Sequence, residues 1–363
     1  MVEGKLADGR IPCFWRQNRR IRWRIMLFWR QSRGFGTSYL SVTLYIARRT
    51  GIGLLVLLVM SFLFFALTRI TPGSPFGTTA NEVFDNPASE RRMHALGLDR
   101  PWYEQYPAYM NSLLHGDLGN SFAFSRPVGR LLVERVPNSM LLLGTSLVLS
   151  LLIAIPLGTY AATHQYTRLD MLTSVLSYVG ISAPAFVVCM FLLLIGGVWL
   201  RHNTGGLIYF PLFGMHSSAD NQSVGDLAWH MTLPLTALSV VNIARFSRFM
   251  RASMLEVLNL DYVRTARAKG LAPRNVNYVH ALRNAILPII TVVALQMPQL
   301  VSGAVIIEGI FSWPGMGLLA FQAAADRDYP LILGVVMLVA VITVLFNLLA
   351  DISYALVDPR IRY

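Results

Sequence analysis

The sequence is poor in charge: 14% of its 363 residues are Asp, Glu, Lys or Arg, against 54% that are hydrophobic. A soluble domain carries about 25% charged residues, so this composition points away from one. Lysine is nearly absent and stands only at Lys5 and Lys269. A phosphate-binding loop needs Gly-Lys-Ser/Thr, so that the ammonium reaches the β- and γ-phosphates. Leu6 follows Lys5 and Ala268 precedes Lys269, so neither lysine fits. Cysteine is equally scarce: Cys13 lies in a basic tail and Cys189 in an apolar run, which speaks against a disulfide framework or a metal cluster. The chain has no His-Glu-x-x-His run, nucleophile elbow, Cys/His metal spacing, internal repeat or low-complexity stretch. No catalytic residue, metal ligand or bound cofactor is expected. Energy must come from another chain, from an ion gradient, or from nowhere.

What the sequence does have is long apolar runs. A membrane-crossing helix needs about 20 mostly apolar residues, and six segments meet that length: 51–70, 139–162, 171–200, 228–250, 285–307 and 331–350. The third is long enough to tilt or to continue outside the bilayer. The fourth is the weakest, because Thr232, Thr236, Ser239 and Asn242 interrupt it.

Charge placement supports all six. The formal net charge is +12, but the basic residues are clustered. Residues 1–50 hold eleven against Glu3 and Asp8, and 245–283 hold eight against Glu256 and Asp261. In contrast, 72–138 hold six basic and seven acidic residues, and 201–227 and 308–330 are slightly acidic. Lys and Arg accumulate in short cytoplasmic segments, so both termini are expected in the cytoplasm. The excess charge sets orientation in a lipid bilayer and implies no nucleic-acid partner. The turn at 164–170 is neutral and adds nothing either way. The first apolar run is too long for a signal-peptide core and lacks a small-x-small cleavage site.

The expected fold is therefore an all-α polytopic membrane protein with six transmembrane helices. Its parts are a basic cytoplasmic tail (1–38), a first transmembrane helix (39–71), a small extracytoplasmic lobe (72–138), a five-helix core (139–351) and a cytoplasmic C-terminal tail (352–363). In the N-terminal tail Phe14, Ile21, Ile25, Phe28 and Trp29 share one helical face, opposite several arginines. Such a helix would lie on an anionic leaflet; a disordered tail that only reinforces orientation is the alternative.

Within the core, the cytoplasmic loop 252–284 reads as two short helices around a break at Gly270-Leu271-Ala272-Pro273. Pro273 suits a first helical turn, where its missing N–H is not needed, and Gly270 supplies backbone freedom. Ala266 and Gly270 lie four apart, as on one small-residue face that another protein could approach. A basic loop that only enforces topology is the other reading. On the fifth span Gln296, Gln299 and Gly303 are spaced as on one face, pointing either into a polar path or into interhelical hydrogen bonds. Pro156, Pro184, Pro234, Pro288 and Pro298 mark expected kinks. Glu308 and Asp351, near opposite ends of spans five and six, are expected to form interfacial ion pairs.

These strings resemble the permease subunits of ATP-binding-cassette importers, in the dipeptide/oligopeptide/nickel branch. Arg264-Thr265-Ala266 and Gly270 stand where that family has Glu-Ala-Ala and a Gly four residues on, and TARAKGL is similar to the peptide branch's own version. Leu282 is kept where the general motif ends, while its Pro is replaced by Arg283. TRITPGSP, GLDRPWYEQY, GDLGNS, SWPGMG, RDYP and DPRIRY extend the resemblance from about Tyr39 to Tyr363. Ser74 stands where the family usually has Asp. The resemblance implies a type I ABC importer transmembrane fold and a coupling loop that includes Arg264, Thr265, Ala266, Arg267, Lys269, Gly270 and Leu282. It also implies a second homologous permease subunit, two ATPase subunits or one fused ATPase that hold ATP and Mg, and an extracytoplasmic solute-binding protein. A peptide substrate is implied, with nickel, haem, glutathione or sugars as alternatives. An ion-coupled secondary transporter would need inverted repeats and midplane carboxylates, and the sequence has neither.

Overall fold

A computed structural model describes residues 38–70, 100–207, 209–218, 220 and 223–357. Among them the structure is helical, apart from an isolated bridge between Asn120 and Pro127. We number the helices α1 (Ser38–Ile70), α2 (Trp102–Leu114), α3 (Val128–Thr163), α4 (Arg168–Ser182), α5 (Ala185–Asn203), α6 (Val224–Leu258), α7 (Asp261–Ala268), α8 (Pro273–Ile310, broken), α9 (Met316–Ala325) and α10 (Tyr329–Val357). Six of them, α1, α3, α5, α6, α8 and α10, are long and apolar enough to cross a membrane. The amphipathic reading of the N-terminal tail lies outside the described residues.

The chain divides into two compact units, Val56–Ala350 and a second made of Met1–Leu55 with Asp351–Tyr363. In the smaller unit the described parts of α1 and α10 are helical. Everything below concerns the larger unit.

The fourth expected span is its most buried one, α6. The polar residues that interrupt it do not break it. Thr232 and Thr236 donate to their own helix at Ala228 O (3.1 Å) and Thr232 O (2.6 Å). Ser239 meets Ser146 of α3 at 3.2 Å, and Ser247 meets Ser177 of α4 at 3.2 Å. Hydrogen bonds of this kind hold helices together where lipid supplies no hydrophobic drive between them. The helix accordingly runs unbroken past 228–250 at both ends, to Val224 and Leu258.

The third expected span, 171–200, is instead two helices. α4 stops at Ser182, and Ala183 is extended (φ −70°, ψ 125°) ahead of Pro184. The proline ring disfavours helical ψ at the residue before it, so the chain must leave the helix there. Of the two, only α5 is long and apolar enough by itself to cross a membrane. Pro156 and Pro234 sit inside continuous helices, whereas Pro288 and Pro298 lie beside interruptions of α8 at Ile286 and at Met297–Pro298. α3 begins at Val128, well before Ser139. α2 packs on α1 through Tyr106, whose ring lies 5.4 Å from those of Phe62 and Phe65 and whose hydroxyl meets Ser61 at 2.9 Å.

Candidate functional site

α6 ends at Leu258, and the chain turns through Asn259 into α7. Asp261 in the first turn of α7 and Arg267 in the last suit the helix dipole. One side of α7 faces inward: Val263 (0% exposed) and Ala266 (8%) join a cluster with Met254, Val257, Val276 and Ala281. Leu282 packs partly buried against the same cluster. The other side is open, with Arg264, Thr265, Arg267, Lys269 and Gly270 exposed. Two further bonds brace the loop: Asn284 Nδ2 donates to the Tyr262 hydroxyl (2.7 Å), and Ser253 Oγ to Ala285 O (2.7 Å).

Gly270 closes α7. Its φ is +77°, its N–H bonds Arg267 O at 3.0 Å, and Leu271 N–H bonds Ala266 O at 3.4 Å. This paired pattern satisfies the orphan carbonyls of a helix end and requires a left-handed residue at that place. The expected shared face of Ala266 and Gly270 is therefore corrected. Ala266 packs into the chain's own core, while Gly270 lies beyond the helix and faces solvent. The surface open to another protein includes Arg264, Thr265, Arg267 and Lys269.

Beside this loop lies the turn at 164–170, whose neutral charge hides an ion pair. Thr167 caps α4 by accepting from Asp170 N (3.3 Å), and Tyr166 N donates to Asp170 Oδ2 (3.0 Å). Arg251 of α6 grips the same carboxylate with Nε to Oδ1 (2.7 Å) and Nη2 to Oδ2 (3.0 Å). Asp170 is buried, and the Arg251 hydrogen bond is the chief cause holding its carboxyl below the usual range. The signal that could have found it is the Thr-x-x-Asp capping pattern at 167–170. A polar cavity of about 170 Å³ joins the two regions, lined by Thr163, Gln165, Asn259, Arg267 and Asn277 among others. Turn and loop thus form one surface.

At the far end of α8, Glu308 is fully buried. Oε1 accepts from Ser139 Oγ (2.8 Å) and Ala304 N (3.1 Å), and Oε2 from Leu318 N (3.0 Å). Instead of the expected interfacial ion pair, neutral donors from three segments hold it. The Asp351 side chain lies outside the described residues. Asp328, also fully buried, accepts from Ser121 Oγ, Ala123 N (3.0 Å) and Leu331 N (3.2 Å). It thereby caps α10 and ties GDLGNS to RDYP.

Gln296 and Gln299 remain one turn apart, because Met297 and Pro298 between them keep right-handed helical angles, but Gly303 does not share their helical face. Gln296 ends one helical piece of α8, Gln299 starts the next, and Gly303 (φ +80°) lies in a break. A Cβ at Gly303 would stand 2.4 Å from Gly317 N and 2.7 Å from Glu308 Oε1, so this is a packing position. Gln296 is half-buried and Gln299 exposed.

The family described as the binding-protein-dependent transport system inner membrane component matches residues 154–363, and the N-terminal region of that component matches 42–143. The chain is 37% identical over 320 residues to the oligopeptide transport system permease protein AppB of Bacillus subtilis, covering 88% of this chain and 99% of that protein. It is 37% identical over 334 residues to the dipeptide transport system permease protein DppB of Escherichia coli, covering 88% and 98%. Among solved structures, an inward-facing MetNI methionine ABC transporter chain aligns with a TM-score of 0.47 at 15% identity, over 63% of this chain and 96% of that one.

Proposed function

Because the chain belongs to the family of binding-protein-dependent transport system inner membrane components, we propose that it forms half of a peptide import path through the inner membrane. It is a multi-pass permease subunit of an importer. The observation that carries the cargo is that relatives named for oligopeptides and dipeptides align over 88% of the chain, through both matched regions. A second homologous permease completes the path. An extracytoplasmic binding protein delivers the peptide, and ATPase subunits on the other side hold ATP and Mg. This chain itself catalyses nothing.

Coupling runs through the exposed side of α7. Arg264, Thr265, Arg267 and Lys269 meet an ATPase cleft, while Val263 and Ala266 anchor the helix to the core that contains the end of α6. The capped end at Gly270 fixes the angle at which α7 is presented. ATPase closure that pulls on α7 is then passed to α6 directly and, through Arg251 and Asp170, to α4. Such coupling needs a contact that differs between two states of the partner. Gln296 and Gln299 are the candidates for the path, where their amides suit peptide groups.

The test is uptake by the complete complex in proteoliposomes with its binding protein. Labelled di- and oligopeptides are expected to accumulate only with ATP. Nickel, haem, glutathione or a sugar accumulating in their place would refute the peptide assignment.

A further inference from the structure

A cavity of about 420 Å³ opens where α1 ends, between α1, α2, the turn after α2 and the first turn of α10. Its charged lining is balanced: guanidinium groups from Arg69 and Arg100, carboxylates from Glu104 and Asp117. Its floor is apolar, with Phe65 and Leu333. The polar groups are ordered among themselves. Arg69 stands 5.4 Å over the Phe65 ring and donates to Gln105 Oε1, and Gln105 Nε2 donates to Arg100 O.

Tyr109 also lines this space, with its ring stacked 6.2 Å from Phe65. Its hydroxyl is buried and has no hydrogen-bond partner among the described residues. Burial first, and then the Tyr106 phenol, push Tyr109 up to about 12, so it is a neutral part of the cavity wall. Next to the cavity, α1 is a membrane-crossing helix whose Leu63, Leu67 and Ile70 are exposed. A ligand fitting both features has an anion, a cation and apolar chains.

We propose that this cavity binds the headgroup of a zwitterionic phospholipid. Arg69 and Arg100 take the phosphate, Glu104 and Asp117 take the ammonium, and the acyl chains lie along the end of α1. A free peptide also carries both charges, but it has no use for the apolar flank of α1.

The experiment is native mass spectrometry of the full chain in its complex, stripped of lipid and titrated with phosphatidylethanolamine or phosphatidylglycerol. Soluble phosphoethanolamine and a dipeptide serve as competitors. The unaltered complex is expected to retain phosphatidylethanolamine about tenfold over phosphatidylglycerol, and Arg69→Ala with Glu104→Gln is expected to abolish that preference. Arg100→Ala, which removes the other phosphate partner, is expected to weaken retention of both lipids about threefold. Neither competitor should displace the lipid at concentrations equal to it. Equal retention of the two lipids by the unaltered complex overturns the proposal, and so does an unchanged preference in the assembled Arg69→Ala, Glu104→Gln variant. Displacement by phosphoethanolamine would make this a site for free headgroups, and displacement by the dipeptide a peptide site; either rejects the lipid. Should Arg69→Ala fail to assemble, Arg100→Ala and the lipid preference of the unaltered complex still decide.

Discussion

At Gly270 the governing quantity is a single dihedral angle. Its φ of +77° costs an L side chain about 1–2 kcal/mol, while a Cβ there would meet nothing within 4 Å. Gly270→Val is therefore expected to strain only the end of α7. The complex should assemble with a nearly unchanged melting temperature, while ATP hydrolysis loses its link to uptake, read as transported peptide per ATP on one preparation. A ratio equal to that of the unaltered protein would leave the loop a topogenic segment only. Ala266→Asp is a different experiment. The added carboxylate would be buried among Val263, Met254 and Val276, at a cost of several kcal/mol, so lower yield and melting temperature are expected before any uncoupling. Glu308→Gln follows from its donors. A Gln amide oxygen can still accept from Ser139 and Ala304, but its NH₂ would then oppose Leu318 N–H. Leaving that amide unpaired costs about 1–3 kcal/mol, to be seen as a lowered melting temperature with topology intact.

Among the elements, the contact between α4 and α6 has a definite pH dependence. The Arg251 hydrogen bond depresses the Asp170 pKa. Its stabilisation is therefore complete above the unfolded carboxylate value of about 3.9 and is lost as pH falls through the lower folded value. Asp170→Asn should cost about 2 kcal/mol near neutrality and should flatten the fall of melting temperature below about pH 4. Parallel acid limbs in variant and parent would remove the clamp from the account. The sequence hid this clamp because Arg168 and Asp170 sum to zero, and charge counting sees sums rather than pairs. It was more legible elsewhere. All six crossings were readable from apolar length and alternating charge, including α6, since threonine and serine hydroxyls can bond their own helix or a neighbouring serine without breaking the run. Pro184 was visible as a kink, but kink and helix end differ only in how the chain beyond them packs. The faces of α7 were misread because a small residue suits a buried contact within the chain as well as a contact with a partner. Gly303 fell to the same ambiguity. Its spacing from Gln299 matches a helix, and only the positive φ shows that the helix has already ended.

For the whole molecule, orientation follows from charge placement. Residues 245–283 hold eight basic residues against two acidic ones, while the described part of 72–138 includes Glu104, Asp117 and Glu134 beside its arginines. Lys and Arg resist crossing the bilayer during insertion and stay on the cytoplasmic side. The α6–α8 loop should therefore face the cytoplasm, and α2 should lie outside. The test starts from a protein whose Cys13 and Cys189 are both replaced by Ser, with one cysteine added at Asn111 or at Asn275, each exposed in the folded chain. An impermeant maleimide applied to intact spheroplasts is expected to label Asn111→Cys at once. It should label Asn275→Cys only after the membrane is opened. The coupling surface and the proposed lipid cavity would then lie on opposite sides, with α7 on the side from which an importer is driven. The reverse labelling pattern would place α7 away from any cytoplasmic ATPase, and coupling through Arg264, Thr265, Arg267 and Lys269 would be physically impossible.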